Sequence, residues 1–288
     1  MSDELLAPDL LGRLERLQLR TGQRLAGQFS GDHRSHRHGS SLDFADYREY
    51  HPGDDFRRID YNLYARLDQL LLKLYEAEED ITIRLLIDTS ASMEAPEKLH
   101  LARQVAAAIG FVSLVRRDVV TVATFPFKGP PPRFSGRSAA PALFAHLLAL
   151  QPDGPTEFAH AVSDLLGRRS SPGLTVVISD LLTPDWRQAI RRLPARGDQS
   201  AVIHLVDERD FSVDLAGDID VVDRETGQVV PVSASPRDLK ALAERVAKWH
   251  EEVAEHCRLS GVAHTLIGLD DDLERTLFGS WRREGLLT

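Results

Sequence analysis

Apolar residues in this chain follow two different patterns, and the two alternate from residue 81 onward. Continuous aliphatic and β-branched runs at residues 81–87 and 174–179 are typical of strands that are buried on both faces of a parallel sheet. After the first run, apolar residues recur at helical spacing over residues 97–116. Repeated alternation of this kind predicts an α/β fold with a doubly wound, mostly parallel sheet.

Shorter patterns complete the predicted α/β domain, which spans residues 81–288. A long helix is predicted to begin at Pro236 with Ser235 as its N-cap. We expect the buried stripe of this helix to contain Leu239, Leu242, Val246, Trp249 and Val253. The other predicted strands are 118–125, 133–135, 200–206, 219–222, 228–232 and 263–267, with helices at 139–150, from about 156, at 186–193 and at 273–278. Hairpins are predicted between the first two of these strands and between the fourth and fifth.

The regular alternation of strand and helix patterns begins only at residue 81. We predict that residues 1–80 form an N-terminal helix, a loop and a small β-rich unit. A leucine stripe predicts an amphipathic helix within residues 5–20 that packs on the body of the protein, with docking of a partner as the alternative. A strand is predicted at 70–75. Arginines and aspartates mix between Arg48 and Arg66, which indicates either a solvated face or an ion-pair network that locks this segment onto the following domain.

Three histidines in the polar, glycine-flanked segment 28–41 raise the question of a metal site. His33, His36 and His38 match no helical zinc spacing, and no cysteine lies nearby. We therefore interpret the segment as a solvated basic loop.

Composition and charge exclude several classes of function. The net charge is −9 and the isoelectric point is about 5.7, which argues against nucleic acid as the main partner. The single cysteine, Cys257, excludes an intrachain disulfide and is compatible with a cytoplasmic location, which we expect. No apolar stretch approaches the roughly 18 residues of a membrane helix, so we expect no membrane insertion.

Oxygen-bearing side chains cluster where the two continuous apolar runs end. Asp88, Ser90 and Ser92 follow the first run, and Asp180 follows the second. Ligands of open α/β sheets bind at the carboxyl ends of strands, and oxygen donors suit a hard cation such as Mg²⁺. The alternative is a polar turn in which Ser90 or Ser92 caps the next helix. The pattern of these residues alone leaves both interpretations open.

The spacing Asp88-x-Ser90-x-Ser92, followed by Thr156 in a loop and Asp180 after a later strand, resembles the metal-ion-dependent adhesion site of von Willebrand factor A domains. The resemblance covers about residues 81–277. Upstream, the stretch from Arg48 to Tyr61, REYHPGDDFRRIDY, is similar to the signature of a bacterial subfamily, family 58 of the domains of unknown function. Members of that subfamily often carry tryptophan at the position of Tyr61.

This resemblance implies a von Willebrand factor A-type fold and a metal-dependent protein-binding module with no catalysis of its own. It implies that Mg²⁺ or Mn²⁺ is held by Asp88, Ser90, Ser92, Thr156 and Asp180, with the carboxylates acting mostly through waters or hydrogen bonds. The open coordination position would accept an acidic side chain. The expected partner is a MoxR-type AAA+ ATPase, its client protein, or both. The alternative is a metal-dependent hydrolase or phosphatase that uses Asp88, although no Gly-x-Ser-x-Gly elbow, Walker loop or dinucleotide motif is present.

Overall fold

The computed structural model describes residues 5–17, 19, 42–51, 54–77, 81–127, 129–168, 173–210, 217–223 and 227–281. These residues divide into two compact units. The larger contains the described residues up to 19 together with those from 81 onward, and the smaller contains those between 42 and 77. The predicted histidine loop with His33, His36 and His38 lies outside the described residues.

Strands and helices alternate along the described chain. The strands are β1 (Leu42–Glu49), β2 (Leu71–Ala77), β3 (Thr82–Asp88), β4 (Val119–Phe125), β5 (Arg133–Ser135), β6 (Gly173–Ser179), β7 (Gln199–Val206), β8 (Gly217–Val222), β9 (Val229–Ala234) and β10 (Ala263–Gly268). The α-helices are α1 (Pro8–Leu14), α2 (Tyr61–Leu67), α3 (Pro96–Val115), α4 (Ala140–Leu148), α5 (Phe158–Gly167), α6 (Trp186–Arg192), α7 (Pro236–Leu259) and α8 (Leu273–Arg275).

A largely parallel sheet forms the centre of the larger unit, which confirms the predicted mixed α/β architecture. Its strand order is β10-β7-β6-β3-β4-β5, and every neighbouring pair is parallel except β4 with β5. All seven residues of β3 and all seven of β6 are buried, as their continuous apolar sequences predict. The predicted adjacency of these two strands is also confirmed, with Ile83 opposite Leu174 and Ile87 opposite Ile178.

The two faces of the sheet bury separate hydrophobic clusters, because successive side chains of a strand point to opposite sides. On one face, Leu85 packs in a cluster with residues of α1, α3 and α4. On the other, Leu86 packs with Phe158 of α5, Trp186 of α6 and Val253 of α7. The sheet therefore has helices on both sides, as a doubly wound arrangement requires.

The N-terminal leucines belong to the larger unit. Leu10 and Leu14 of α1 are buried in the same cluster as α3, and the side chain of Gln104 donates a hydrogen bond to the carbonyl of Leu5 at 3.1 Å. This packing on the body of the protein is the arrangement that the leucine stripe predicts. The structural division differs from the predicted 1–80 region because it groups this helix with the residues after 80.

The smaller unit is a β1–β2 antiparallel pair with the short helix α2 between the two strands in sequence. The carboxylate of Asp60 connects several parts of this unit. It accepts hydrogen bonds from the backbone N–H groups of Asn62 and Leu63 at 3.0 and 3.2 Å, and from the Tyr47 hydroxyl at 3.0 Å. It also pairs with Lys73 at 3.0 Å. The β2 strand was predicted, whereas β1 and α2 were not.

Predictions for the C-terminal part are confirmed in outline and corrected in one detail. Ser235 caps α7 through a reciprocal capping box with Asp238, and β8 pairs with β9 in a hairpin. Of the five residues predicted to form the buried stripe of α7, only Val253 is fully buried. The other four residues lie closer to the N-terminus of α7, and the described part of the chain buries them only partly: Leu239, Leu242, Val246 and Trp249.

Helix α3 corrects the expectation that no stretch reaches membrane length. Residues 97–115 form one helix that is long and apolar enough, by length and composition, to cross a membrane. However, 78% of its apolar window is buried inside the protein, and Ala102, Val105 and Ile109 belong to the core cluster. Burial against the sheet accounts for this apolar composition.

Candidate metal centre

The two predicted carboxylates lie at the same edge of the parallel sheet. Asp88 ends β3, and Asp180 directly follows β6, the strand paired with it. Both residues are buried, with 0% and 2% exposure. The chain leaves β3 for β4 on one side and later returns to β6 on the other, so this edge is the switch point where ligands of such sheets bind.

Asp88 accepts hydrogen bonds on both of its carboxylate oxygens. Its Oδ1 accepts from the backbone N–H of Ser90 at 2.9 Å and from the Ser90 hydroxyl at 2.6 Å, while Oδ2 accepts from the Ser179 hydroxyl at 2.6 Å. Burial and the neighbouring charge of Asp180 raise the pKa of Asp88 to about 7, although these hydrogen bonds act in the opposite direction. The two bonds from Ser90 to Oδ1 of Asp88 fix the orientation of the Ser90 hydroxyl.

The hydroxyls of Ser90 and Ser92 lie side by side. Their Oγ atoms are hydrogen-bonded at 3.0 Å, with Ser92 as the donor because the Ser90 hydroxyl already donates to Asp88. In an octahedral Mg²⁺ site with bonds of roughly 2.0–2.1 Å, adjacent ligand atoms are about 2.9 Å apart, so the two hydroxyls match one edge of such a shell. The helix-cap alternative finds no support for Ser90, because this residue precedes the short turn Ala91–Glu94 without a side-chain cap bond.

The loop that carries Thr156 lies against the turn that follows β3. The backbone N–H of Asp153 donates to the carbonyl of Thr89 at 2.7 Å, and that of Ala91 donates to the carbonyl of Gly154 at 2.9 Å. Thr156 is half-buried and lies two residues beyond Gly154, just before helix α5. These backbone contacts bring the loop to the site, and a ligand role for the Thr156 hydroxyl stays a prediction.

Asp180 is paired with a lysine that the sequence analysis did not select. Lys98, in the first turn of α3, is only 1% exposed. Its Nζ donates to Asp180 Oδ2 at 3.0 Å and to the carbonyl of Ser92 at 3.3 Å. The other oxygen, Asp180 Oδ1, accepts from the backbone N–H of Leu182 at 3.1 Å.

A second layer of polar groups holds the turn after β6. The ring Nε2 of His204, on the neighbouring strand β7, lies 3.1 Å from the carbonyl of Asp180. Burial, with the charges of nearby histidines, lowers the pKa of His204 to about 3, so the neutral ring donates this bond. The Ser179 hydroxyl accepts from the backbone N–H of Leu181 at 2.9 Å, and Leu181 has a φ of 56°. This turn is therefore fixed at both its backbone and its side chains.

A third buried carboxylate follows the next strand. Asp207, which is 4% exposed, comes directly after β7 and accepts from the Nε of Arg209 at 2.9 Å. Burial opposes its ionisation, but the hydrogen bonds and charge of Arg209, with a smaller effect of the Lys98 charge, lower the pKa of Asp207 overall. The positive charge of Lys98 thus lies near two carboxylates at this edge.

Sequence reasoning found the residues that directly follow the strands but missed their partners. Ser179 and His204 lie inside apolar strands, where the sequence signal is that of core residues. Lys98 gave one usable signal, a charged residue near the start of a helix that is otherwise apolar enough to be buried. Its pairing with Asp180, 82 positions away, depends on the strand order.

The side chains at this edge suit a hard cation that prefers oxygen ligands better than a softer metal such as zinc. Among the described residues, no group of three or more His, Cys, Asp or Glu side chains is arranged to hold a metal ion. The donors near Asp88 and Asp180 are instead hydroxyl and carboxylate oxygens, which Mg²⁺ and Mn²⁺ accept. The geometry of Ser90 and Ser92 is therefore compatible with the magnesium site predicted from the sequence.

Fold and site together define an α/β protein with a cluster of oxygen donors at the switch point of a largely parallel sheet. The chain belongs to the family described as Protein of unknown function DUF58, whose model matches residues 46–253. An uncharacterized protein of Mycobacterium tuberculosis (strain H37Rv) is 29% identical in an alignment 293 positions long, which covers 97% of this chain and 92% of that protein.

Two solved structures share a more distant likeness. A conserved hypothetical protein, BatB from Bacteroides thetaiotaomicron, is 13% identical, with a TM-score of 0.43, over 71% of this chain and 96% of that one. An aerotolerance-related membrane protein from Bacteroides fragilis is 16% identical, with a TM-score of 0.41, over 71% of this chain and 98% of that one.

Proposed function

We propose that this protein is a von Willebrand factor A-like, metal-dependent protein-binding module. The observation that carries the proposal is the pair of hydroxyls of Ser90 and Ser92, 3.0 Å apart, beside the buried carboxylates Asp88 and Asp180. This arrangement supports a site for one Mg²⁺ or Mn²⁺ ion that is bound through neutral oxygens.

Ser90, Ser92 and Thr156 would hold the ion directly, while Asp88 and Asp180 would act through hydrogen bonds or waters. When bound, the ion supplies an electrophilic position that is open to one further oxygen ligand. Neutral hydroxyls leave most of its charge uncompensated, so a carboxylate is the favoured ligand at this position. An aspartate or glutamate side chain of another protein meets that requirement.

The partner that we propose is a MoxR-type AAA+ ATPase, its client, or both, with this chain acting as an adaptor in the cytoplasm. The family resemblance of the segment from Arg48 to Tyr61 is the basis for this pairing. An acidic side chain on the partner would be the group recognised.

The bonding around Ser90 and Asp88 favours binding over catalysis. The Ser90 hydroxyl donates to the carboxylate of Asp88 rather than to a histidine, so this bond does not form the serine–histidine pair that commonly activates a serine nucleophile. Asp88 is fully buried and accepts three hydrogen bonds, which reduces its reactivity as a nucleophile. We therefore propose that the chain has no catalytic activity of its own.

Metal titration of site variants tests this proposal. Isothermal calorimetry should show Mg²⁺ binding to the wild-type protein and its loss in Ser90→Ala and Thr156→Ala. Ser113→Ala is a matched control, because Ser113 is also buried but bonds to the carbonyl of Ile109 within α3. Equal Mg²⁺ affinity in all four proteins would refute the metal site.

A pull-down with the co-expressed ATPase then tests the partner. Retention should require Mg²⁺, should be lost in chelator, and should be restored when Mg²⁺ is added back. Binding that persists in chelator and in Ser90→Ala would show that the family resemblance extends to the fold but not to this binding mechanism.

A further inference from the structure

We infer that Lys98 is the resident cation of the proposed metal site, balancing Asp180 when no divalent ion is bound and opposing the binding of one. This inference rests on the proposed function, because it concerns how tightly that site binds its metal. Lys98 is not among the residues for which the resemblance implies a role.

Lys98 and Asp180 form a buried ion pair. The side chains of Lys98 and Asp180 are 1% and 3% exposed, and Nζ lies 3.0 Å from Oδ2. A lysine in such surroundings is rarely buried without a charged partner, because desolvation of the ammonium group is costly. The pair is therefore mutually dependent: each charge is tolerated because the other is present.

Both carboxylates of the site accept hydrogen bonds on both of their oxygens. Asp180 accepts from Lys98 on one oxygen and from the backbone N–H of Leu182 on the other. Both oxygens of Asp88 accept as well, from Ser90 and Ser179. Each carboxylate oxygen at the site thus accepts a hydrogen bond from the chain itself, so none of them needs a divalent ion as its partner.

The positive charge of Lys98 should also affect metal binding. A divalent ion beside Ser90 and Ser92 would lie close to Lys98, whose Nζ also donates to the carbonyl of Ser92 at 3.3 Å. Two positive charges that lie close together in buried surroundings repel each other strongly, because little water screens them. Removing the lysine charge should therefore strengthen Mg²⁺ binding while weakening the metal-free fold.

A structural role alone predicts the opposite result. Lys98 joins the turn of Ser92 to Asp180, so a simple clamp would lose its geometry when the lysine is removed and Mg²⁺ would bind more weakly. The sign of the change in Mg²⁺ affinity therefore distinguishes a counter-ion from a clamp.

The test compares Lys98→Met, which removes the charge and keeps the length of the side chain, with Lys98→Arg, which keeps the charge. Calorimetry should show Mg²⁺ binding to Lys98→Met at least about tenfold tighter than to the wild-type protein, with no tightening in Lys98→Arg. Lys240→Met is the matched control, because the Lys240 side chain is 80% exposed on α7. Weaker or unchanged binding in Lys98→Met would overturn the inference, while Mg²⁺ binding by the wild-type protein would leave the proposed function standing.

Thermal unfolding in chelator gives a second readout that does not depend on the metal. Lys98→Met should unfold at a lower temperature than the wild-type protein, because Asp180 keeps a buried charge without its partner. The double variant with Lys98→Met and Asp180→Asn should recover most of that loss. If none of these proteins binds Mg²⁺ but the double variant recovers its unfolding temperature, the proposed function fails while the pairing of Lys98 with Asp180 is supported. If Lys98→Met unfolds at the same temperature as the wild-type protein and the double variant shows no recovery, the pairing itself is refuted.

Discussion

Replacing Asp88 by asparagine should remove much of the pH dependence of stability in the metal-free protein. Burial and the charge of Asp180 raise the pKa of Asp88 from 3.8 to about 7. Because this carboxyl group is more basic in the folded chain, the folded state binds more protons than the unfolded state between these pH values. The free energy of unfolding of the wild-type protein in chelator should therefore fall as the pH rises from about 4 to about 7.

The size of the effect follows from the same shift. The two pKa values differ by about three pH units, and one unit corresponds to about 1.4 kcal/mol, so the full change is about 4 kcal/mol. Asparagine has nearly the same size, carries no charge and keeps an acceptor for Ser90. At neutral pH in chelator, Asp88→Asn should thus be more stable than the wild-type protein by up to about this amount, with the difference disappearing near pH 4.

Urea denaturation followed by circular dichroism, in chelator and at several pH values, measures this directly. Asp220→Asn on the exposed hairpin strand β8 is the control, and its curve should parallel that of the wild-type protein. If Asp88→Asn and the wild-type protein show the same slope of stability against pH, the reasoning from burial is wrong. Adding Mg²⁺ should stabilise the wild-type protein and not the variant, which connects the two experiments.

Two further predictions concern the fold. Gly173→Ala should destabilise the larger unit by about 3 kcal/mol in urea denaturation, because a Cβ there would lie 1.9 Å from the carbonyl oxygen of Thr82, whereas Gly12→Ala, with open space around it, should not. Asp60→Asn should speed amide hydrogen exchange in the smaller unit, because Lys73 and other donors lower the pKa of Asp60 to about 2. That stabilisation is present above about pH 4 and should be lost from the wild-type protein as the pH falls toward 2, while the variant lacks it throughout.

The framework of the larger unit was predictable from the sequence because its strands carry a strong local signal. Strands β3 and β6 are buried on both faces, and four of the five residues in each of the segments 83–87 and 174–178 are aliphatic. The start of α7 could also be predicted, because Ser235 as N-cap and Pro236 at the first helical position are local signals of a helix N-terminus.

Elements whose signal is weak or misleading escaped prediction. Helix α2 has no buried residue among its side chains, so no apolar stripe marks it; Asp60, as its N-cap, is the feature that starts it. The stripe of α7 was overpredicted, because amphipathic spacing shows which face is apolar and not how much of the rest of the chain covers it. Residues such as Leu239 are therefore only half-buried.

The residues of the candidate site also divide into those that the sequence predicts and those that it does not. Asp88, Ser90 and Asp180 could be selected because the end of a continuous apolar run is a position that sequence shows. Lys98 gave a signal of burial, but its pairing could not be predicted, since its place beside Asp180 depends on β6 inserting next to β3 and on the first turn of α3 covering that edge. Yet Lys98 sets the charge at the site, since its ammonium group pairs with Asp180 near the buried carboxylate of Asp88. A site of this kind is defined by its counter-charges as much as by its ligands, and those counter-charges come from elements far away in the chain.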